Sequence, residues 1–173
     1  MPSIRLRAFA KVNLRLEIIG RRSDGFHELR TIFQTISLHD TLELSVQRGS
    51  RIDFSIEGND SLAAESARGN LVYRAIEAAR RELRWRRGIR ARLVKRIPVG
   101  RGLGGGSSDA AAALIGMMRL TQKEIPATRL IEIGSSLGAD VPFFLFGGTA
   151  LGIGRGDETY PLPDAPRSTV LVV

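Results

Sequence analysis

The stretch PVGRGLGGGSSDAAAAL, Pro98–Leu114, decides how the rest of this 173-residue chain is read. Five glycines fall between Gly100 and Gly106, followed by Ser107, Ser108, Asp109 and a run of alanines. A tight connection with a serine cap accounts for one or two glycines, not five. Apolar alternation before the loop predicts a strand, and the alanine run after it predicts a helix starting at Ser107 or Ser108. Free backbone N–H groups then gather at the positive end of a helix dipole, a site that favours phosphate. Ser107 and Ser108 suit a helix cap and offer hydroxyls to a phosphate or its magnesium, and Asp109 suits the first turn. The Walker pattern fails because Gly106 stands where a lysine is needed before the serine. Gly100, Gly102 and Gly105 satisfy GxGxxG. The acidic residue of a dinucleotide site, about 20 residues on, would be Glu124, which lies in a polar loop and not at a strand end.

Composition is that of an ordinary globular domain, 43% hydrophobic and 25% charged. With no cysteine, disulfides and thiolate chemistry are excluded, and His27 and His39 are too few and too far apart for a zinc cluster. No apolar run reaches membrane-spanning length, and the N-terminal MPSIRLRAFAKVNL carries charges throughout, unlike a signal peptide. A cytoplasmic protein without a membrane partner is expected. The net charge is +8, with a cluster at 80–92, RRELRWRRGIRAR, that reads as solvated surface charge, so no nucleic-acid partner is expected.

From Ile4 to Ile18 every even position is apolar, which predicts a long strand with one buried face and Lys11 and Asn13 together on the other. RTIFQTISL (30–38), TLELSV (41–46) and RIDFSIE (51–57) read as strands of an antiparallel meander, with HD and RGS as turns. A helix is predicted over 70–83, capped by Asn70, with a core stripe of Leu71, Ala75, Ala78, Ala79 and Leu83. A strand follows at 89–97, then helices at 107–120 and 127–137. Beyond them, an apolar run leads into a glycine-rich turn and a short strand. STVLVV (168–173) reads as a final buried strand. The pattern predicts an α+β domain, a mixed and largely antiparallel sheet packed with helices.

Four stretches in order, AKVNLRLEIIGRRSDGFHELRTIFQ (10–34), GNLVYRA (69–75), the opening loop, and LGADVPFFLFGGTALGIGRGDE (137–158), resemble the GHMP small-molecule kinases. They are most similar to the branch acting on a cytidine diphosphate-linked methylerythritol in the non-mevalonate isoprenoid route. The resemblance implies the GHMP N-terminal fold (ribosomal protein S5 domain 2-like) and ATP-dependent phosphorylation of that substrate's 2-hydroxyl. It implies Lys11 and Asp140 as the catalytic pair. An aspartate accepts the hydroxyl proton, and a lysine beside it keeps the carboxylate ionised and polarises the hydroxyl. It places ATP on Pro98, Val99, Gly100, Arg101, Gly102, Leu103, Gly104, Gly105, Gly106, Ser107 and Ser108, with Asn70 and Leu71 near the base. For Asn70, helix capping is an equal explanation. The cytidylyl substrate falls to Asn13, Phe26 and His27. Magnesium enters through ATP, with Ser108 the one side-chain candidate.

Three positions depart from the family pattern. Phe26 replaces a tyrosine and keeps the stacking ring, Arg101 replaces a small residue, and Ile153 stands where an acidic residue is common. The family's C-terminal half has no counterpart here. Residues 1–165 are therefore expected to form the ATP-binding domain, and 166–173 to begin a truncated second one. Such a chain is expected to have little activity and to be a monomer or homodimer, prone to self-association through uncovered apolar surface. Two other readings are a homoserine or mevalonate kinase, which needs no base-stacking aromatic, and an RNA-binding module, which leaves the glycine loop unexplained.

Overall fold

The alternating N-terminal segment forms β1 (Ser3–Arg21), paired antiparallel with β2 (His27–Gln47) along nearly its whole length. The structure, a computed structural model, describes all residues except 22–24, 26, 65, 165, 167 and 173. After β2 come β3 (Ile52–Glu57), α1 (Asp60–Ala64), α2 (Leu71–Glu82) and β4 (Gly88–Val94). Then follow α3 (Gly105–Thr121), α4 (Ala127–Leu137), α5 (Val141–Phe146), β5 (Thr149–Gly154) and β6 (Glu158–Leu162). The sheet order is β3-β4-β2-β5-β6, with β1 along the free side of β2.

β2 is the spine. Its Thr41–Gln47 half pairs with β4 and its Leu29–Gln34 half with β5, both antiparallel. The expected turn at His39–Asp40 is absent, and one continuous strand replaces the two that were predicted. Asp40 is instead fully buried and accepts hydrogen bonds, so a residue type common in turns marks a polar core site here. The expected meander is also corrected. β3 pairs in parallel with β4, because the intervening α2 carries the chain back across the sheet.

Helices cover one face. Leu42, Leu44 and Val46 of β2 and Ile89, Ala91 and Leu93 of β4 meet Val72, Ala75, Ile76 and Ala79 of α2 and the alanines of α3 in one core. The α2 stripe thus runs through Val72 and Ile76, with Leu71 and Ala78 only half-buried. Small side chains on α3 let it lie close to the sheet: a Cβ on Gly116 would come within 2.6 Å of Leu44 Cδ1.

The single buried face expected for β1 holds only in its first half. Ala8 and Ala10 are buried, whereas Leu14, Leu16, Ile18 and Ile19 are each more than half exposed. Register shifts after Phe9, Asn13 and Ile18 break the alternation, and α3 packs against the earlier part of the strand. The expected strand at the end is absent as well. Residues 168–172 have neither helix nor strand and are exposed, since β-branched side chains cannot make a strand without a pairing edge.

Candidate active site

The glycine loop is pinned by its one inward apolar residue. Leu103 is buried in a small cluster with Ala10 and Ile97, seated where β2 bulges at 36–38 opposite Ala10. Its carbonyl accepts the Lys11 backbone N–H at 3.0 Å, which ties the loop to β1. Gly100, Gly102 and Gly104 all have φ near +70°, the left-handed region that only glycine enters freely. At Gly104 a side chain is also excluded by space: a Cβ would lie 2.6 Å from Phe144 Cζ and 3.1 Å from Lys11 Cγ.

α3 begins at Gly105, with Gly104 at the capping position and no side-chain cap. This corrects the expected start at the serines. The glycines themselves form the first turn, so the N–H groups stay uncapped at the positive end of a 17-residue helix. The alanine-rich body supplies the helix propensity, and the glycines supply an approachable backbone.

A cleft of about 470 Å³ opens over this turn. Every residue from Pro98 to Ser107 lines it, together with Asn70, Leu71, Lys11 and Asp140. Asn70 does cap α2, its side-chain oxygen accepting from the Val72 N–H at 2.9 Å, while also lining the cleft. Arg101 is exposed on the rim. Ser108 is buried and lines a separate cavity of about 450 Å³ between β1 and α3, with Arg7, Phe9 and Arg119.

At the lip, Lys11 Nζ lies 3.5 Å from Asp140 Oδ2 and donates to Asn13 Oδ1 at 2.7 Å. Lys11 is 6% exposed, its ammonium 5.1 Å from the Phe33 ring, whereas the Asp140 side chain is 31% exposed at the head of α5. The lysine is thereby held in one place and the carboxylate stays open to a ligand. Asn13 is fixed by donating to Thr31 Oγ1 at 2.6 Å, which itself donates to the Arg15 carbonyl. His27 is exposed at the start of β2, six positions from Phe33, the residue opposite Asn13; at strand rise this is about 20 Å away. The structure thus joins Lys11, Asn13 and Asp140 to the glycine loop, and it leaves His27 at the far end of the β1–β2 ribbon. Phe26 lies outside the described residues.

Beneath the loop sits a group that the sequence reading missed. Lys95 Nζ donates to Asp40 Oδ2 at 2.5 Å and to Asp109 Oδ2 at 2.8 Å, all three residues being buried. Asp40 Oδ1 also accepts the Arg96 and Ile97 backbone N–H groups, while Asp109 Oδ1 is buried without a hydrogen-bond partner among the described residues. Burial pushes Asp109 up, against the pull of Lys95 and with the push of Asp40, to about 7. Burial works to lower Lys95, but Asp109 and Asp40 outweigh it and hold Lys95 above its ordinary value. A Cβ on Gly105 would lie 3.2 Å from Lys95 Nζ, so the cluster forms the floor under the first turn of α3. One signal was available: Ile89, Ala91 and Leu93 face inward, and Lys95 has the same parity.

Among the described residues, no group of three or more His, Cys, Asp or Glu side chains is placed to hold a metal. No described helix is long and apolar enough to cross a membrane.

The sheet and the glycine turn at the head of α3 are those of a small-molecule kinase fold. The family model for the GHMP kinases N terminal domain matches residues 70–148, and the chain has the fold of that domain. Its relatives narrow the comparison. A protein of Solibacter usitatus named 4-diphosphocytidyl-2-C-methyl-D-erythritol kinase is 53% identical over 97% of this chain and 52% of its own length. One of Geobacter sulfurreducens with the same name is 43% identical over 100% of this chain and 61% of its own. A crystal structure of 4-(cytidine 5'-diphospho)-2C-methyl-D-erythritol kinase superimposes with a TM-score of 0.78 at 40% identity, covering 92% of this chain and 55% of that one. The chain spans about half to three-fifths of the length of the curated relatives it matches.

Proposed function

We propose that this chain carries the ATP-binding half and the catalytic pair of a kinase that phosphorylates the 2-hydroxyl of 4-diphosphocytidyl-2-C-methyl-D-erythritol. The observation that carries the proposal is the Lys11–Asp140 pair, 3.5 Å apart at the lip of a glycine-lined cleft. The uncapped turn at Gly104–Gly106 fits a polyphosphate, because Cβ atoms at Gly100 and Gly102 would meet nothing within 4 Å and the backbone there is open to approach. Asn70 and Leu71, at the head of α2, stand where the base of the nucleotide would lie.

In the reaction, the substrate oxygen forms a bond to the γ-phosphorus as the bond from that phosphorus to the β–γ bridging oxygen breaks, and ADP leaves. The hydroxyl proton passes to Asp140. Lys11, held by Asn13, offers positive charge to the attacking oxygen and the transferring phosphoryl group. Magnesium, arriving with the nucleotide, supplies charge neutralisation on the β and γ phosphates. The β1–β2 ribbon between Asn13 and His27 offers a track for an elongated nucleotide-linked alcohol, with its cytosine toward His27. The relatives' names favour this substrate over homoserine or mevalonate.

The test is phosphotransfer with the chain joined to the C-terminal portion of the Solibacter usitatus relative. Asp140→Asn is expected to lower kcat by 100-fold or more while ATP still binds. An unchanged rate would remove Asp140 from its role, and no rate in the unsubstituted protein, with ATP bound, would remove the substrate assignment.

A further inference from the structure

The end of the molecule opposite the glycine loop brings together two basic turns that are far apart in sequence. β4 leads from this end toward the loop, and α2 runs back from the cleft, starting at Asn70 and Leu71 and finishing here at Arg80 and Arg81. The turn before β4 packs onto the turn after β2: the Gly88 N–H donates to the Gly49 carbonyl at 2.6 Å and the Ile89 N–H to the Arg51 carbonyl at 3.0 Å. Gly88 is required by this approach, since a Cβ would lie 3.0 Å and 3.1 Å from the Arg51 and Arg48 carbonyl oxygens. Arg48 and Arg51 thereby join Arg84, Arg86 and Arg87 on one surface, all exposed.

Ordinary causes explain only part of this charge. Arg80 and Arg81 suit the C-terminal end of the α2 dipole, Arg80 also donates to the Trp85 carbonyl, and Arg81 lies 3.9 Å from Glu77. The other five arginines pair with no carboxylate among the described residues. Arg84 moreover occupies a left-handed position, φ +50°, just past the end of α2, where glycine would carry no strain. Between them lies Trp85, half-buried, its indole N–H buried without an acceptor among the described residues, so what it shows to solvent is ring carbon. The Arg87 guanidinium stands 6.0 Å from its ring, and a cavity of about 360 Å³ opens beside it, lined by Arg80, Arg81, Arg84, Arg86 and one carboxylate, Glu77.

Unpaired guanidinium groups around a half-buried aromatic ring match the chemistry of a phosphate backbone carrying stackable bases. We propose that this end is a second binding surface, for a single-stranded nucleic-acid segment, with the arginines on its phosphates and Trp85 against a base. The sequence alone reads the 80–92 cluster as solvated charge. What changes that reading is the second turn, which only folding delivers.

Trp85 is the sole tryptophan, so its emission reports on the surface directly. A fluorescein-labelled 15-nucleotide single-stranded RNA is titrated with the chain between 50 and 200 mM KCl, following anisotropy and Trp85 emission. Expected are quenching of Trp85 and a log–log salt slope of about −3.5, at about 0.7 per phosphate contact for five arginines. The triple variant Arg84→Ser, Arg86→Ser, Arg87→Ser should lose at least tenfold in affinity and flatten to a slope of about −1.4, two contacts remaining. Its circular dichroism and ATP binding should be unchanged. Absence of quenching, RNA affinity unaltered by the triple variant, or capture by vesicles of 30% phosphatidylserine without RNA binding would each overturn the proposal.

Discussion

Two ion clusters on β4 and its continuation share one composition, a cation with two carboxylates, and differ in everything else. Lys95 with Asp40 and Asp109 is buried beneath the glycine loop. Arg92 with Glu43 and Glu57 lies on the open face of the sheet, where Arg5 also reaches Glu43 at 2.5 Å. Three positions of sequence and a change of strand parity separate them. In the outer cluster water solvates every member. Arg5, then Arg92, hold Glu43 below the usual carboxylate range, and Glu57 and Glu43 hold Arg92 above its ordinary value, yet such exposed pairs contribute little to stability. In the inner cluster no water replaces a lost partner, so its charges must balance within the protein. The same chemistry is therefore a surface ladder in one place and the foundation of a candidate active site in the other.

The contrast is tested most severely by Lys95→Met. It strands two buried carboxylates and should cost about 3–5 kcal/mol in urea unfolding. A loss as small as that of an exposed pair would show that the floor is not what holds the loop. Next is Gly104→Ala, directly above. The left-handed backbone alone should cost about 1–2 kcal/mol, and the clash with Phe144 adds to it, with ATP affinity falling as the turn deforms. Gly100→Ala, with the same φ but open space, should show only the backbone part.

The inner cluster also sets a pH slope. Asp109 titrates near 7 in the folded chain against an ordinary value of 3.8, so between these values the folded state holds a proton that the unfolded state has lost. Stability should therefore fall as pH rises from about 4 to about 7 and level off above. Asp109→Asn should flatten that part of the profile, and a slope unchanged by it would move the titration elsewhere. The smallest effect is Arg92→Ala, whose thermal midpoint should shift only marginally and not at all in 1 M NaCl.

Much of this was legible beforehand. The glycine loop, the helix that follows it, the long first strand and the α+β class all rest on local signals: periodicity, helix propensity and turn chemistry. Of the residues around the loop, Lys11 lies on the strand tied to it, whereas Asp140 at the head of α5 and Asn70 at the head of α2 reach it only through the fold. Asp40 was hidden because a His-Asp pair between two apolar runs looks like a turn, and only the neighbouring strands show the run to be continuous. The exposed half of β1 was hidden because its alternation continues past the reach of the helices, and a pattern of two does not say what covers it.

Sequence by itself determined that this chain would wind a glycine turn into the head of an alanine-rich helix, because backbone freedom and helix propensity are properties of the residues themselves. Tertiary structure decided where that helix begins, that Lys11 meets Asp140, and that Lys95 lies beneath both glycine turn and helix between two aspartates. Those contacts join positions up to 129 residues apart (11 to 140). They are fixed by strand order, bulges and burial, which no local stretch encodes.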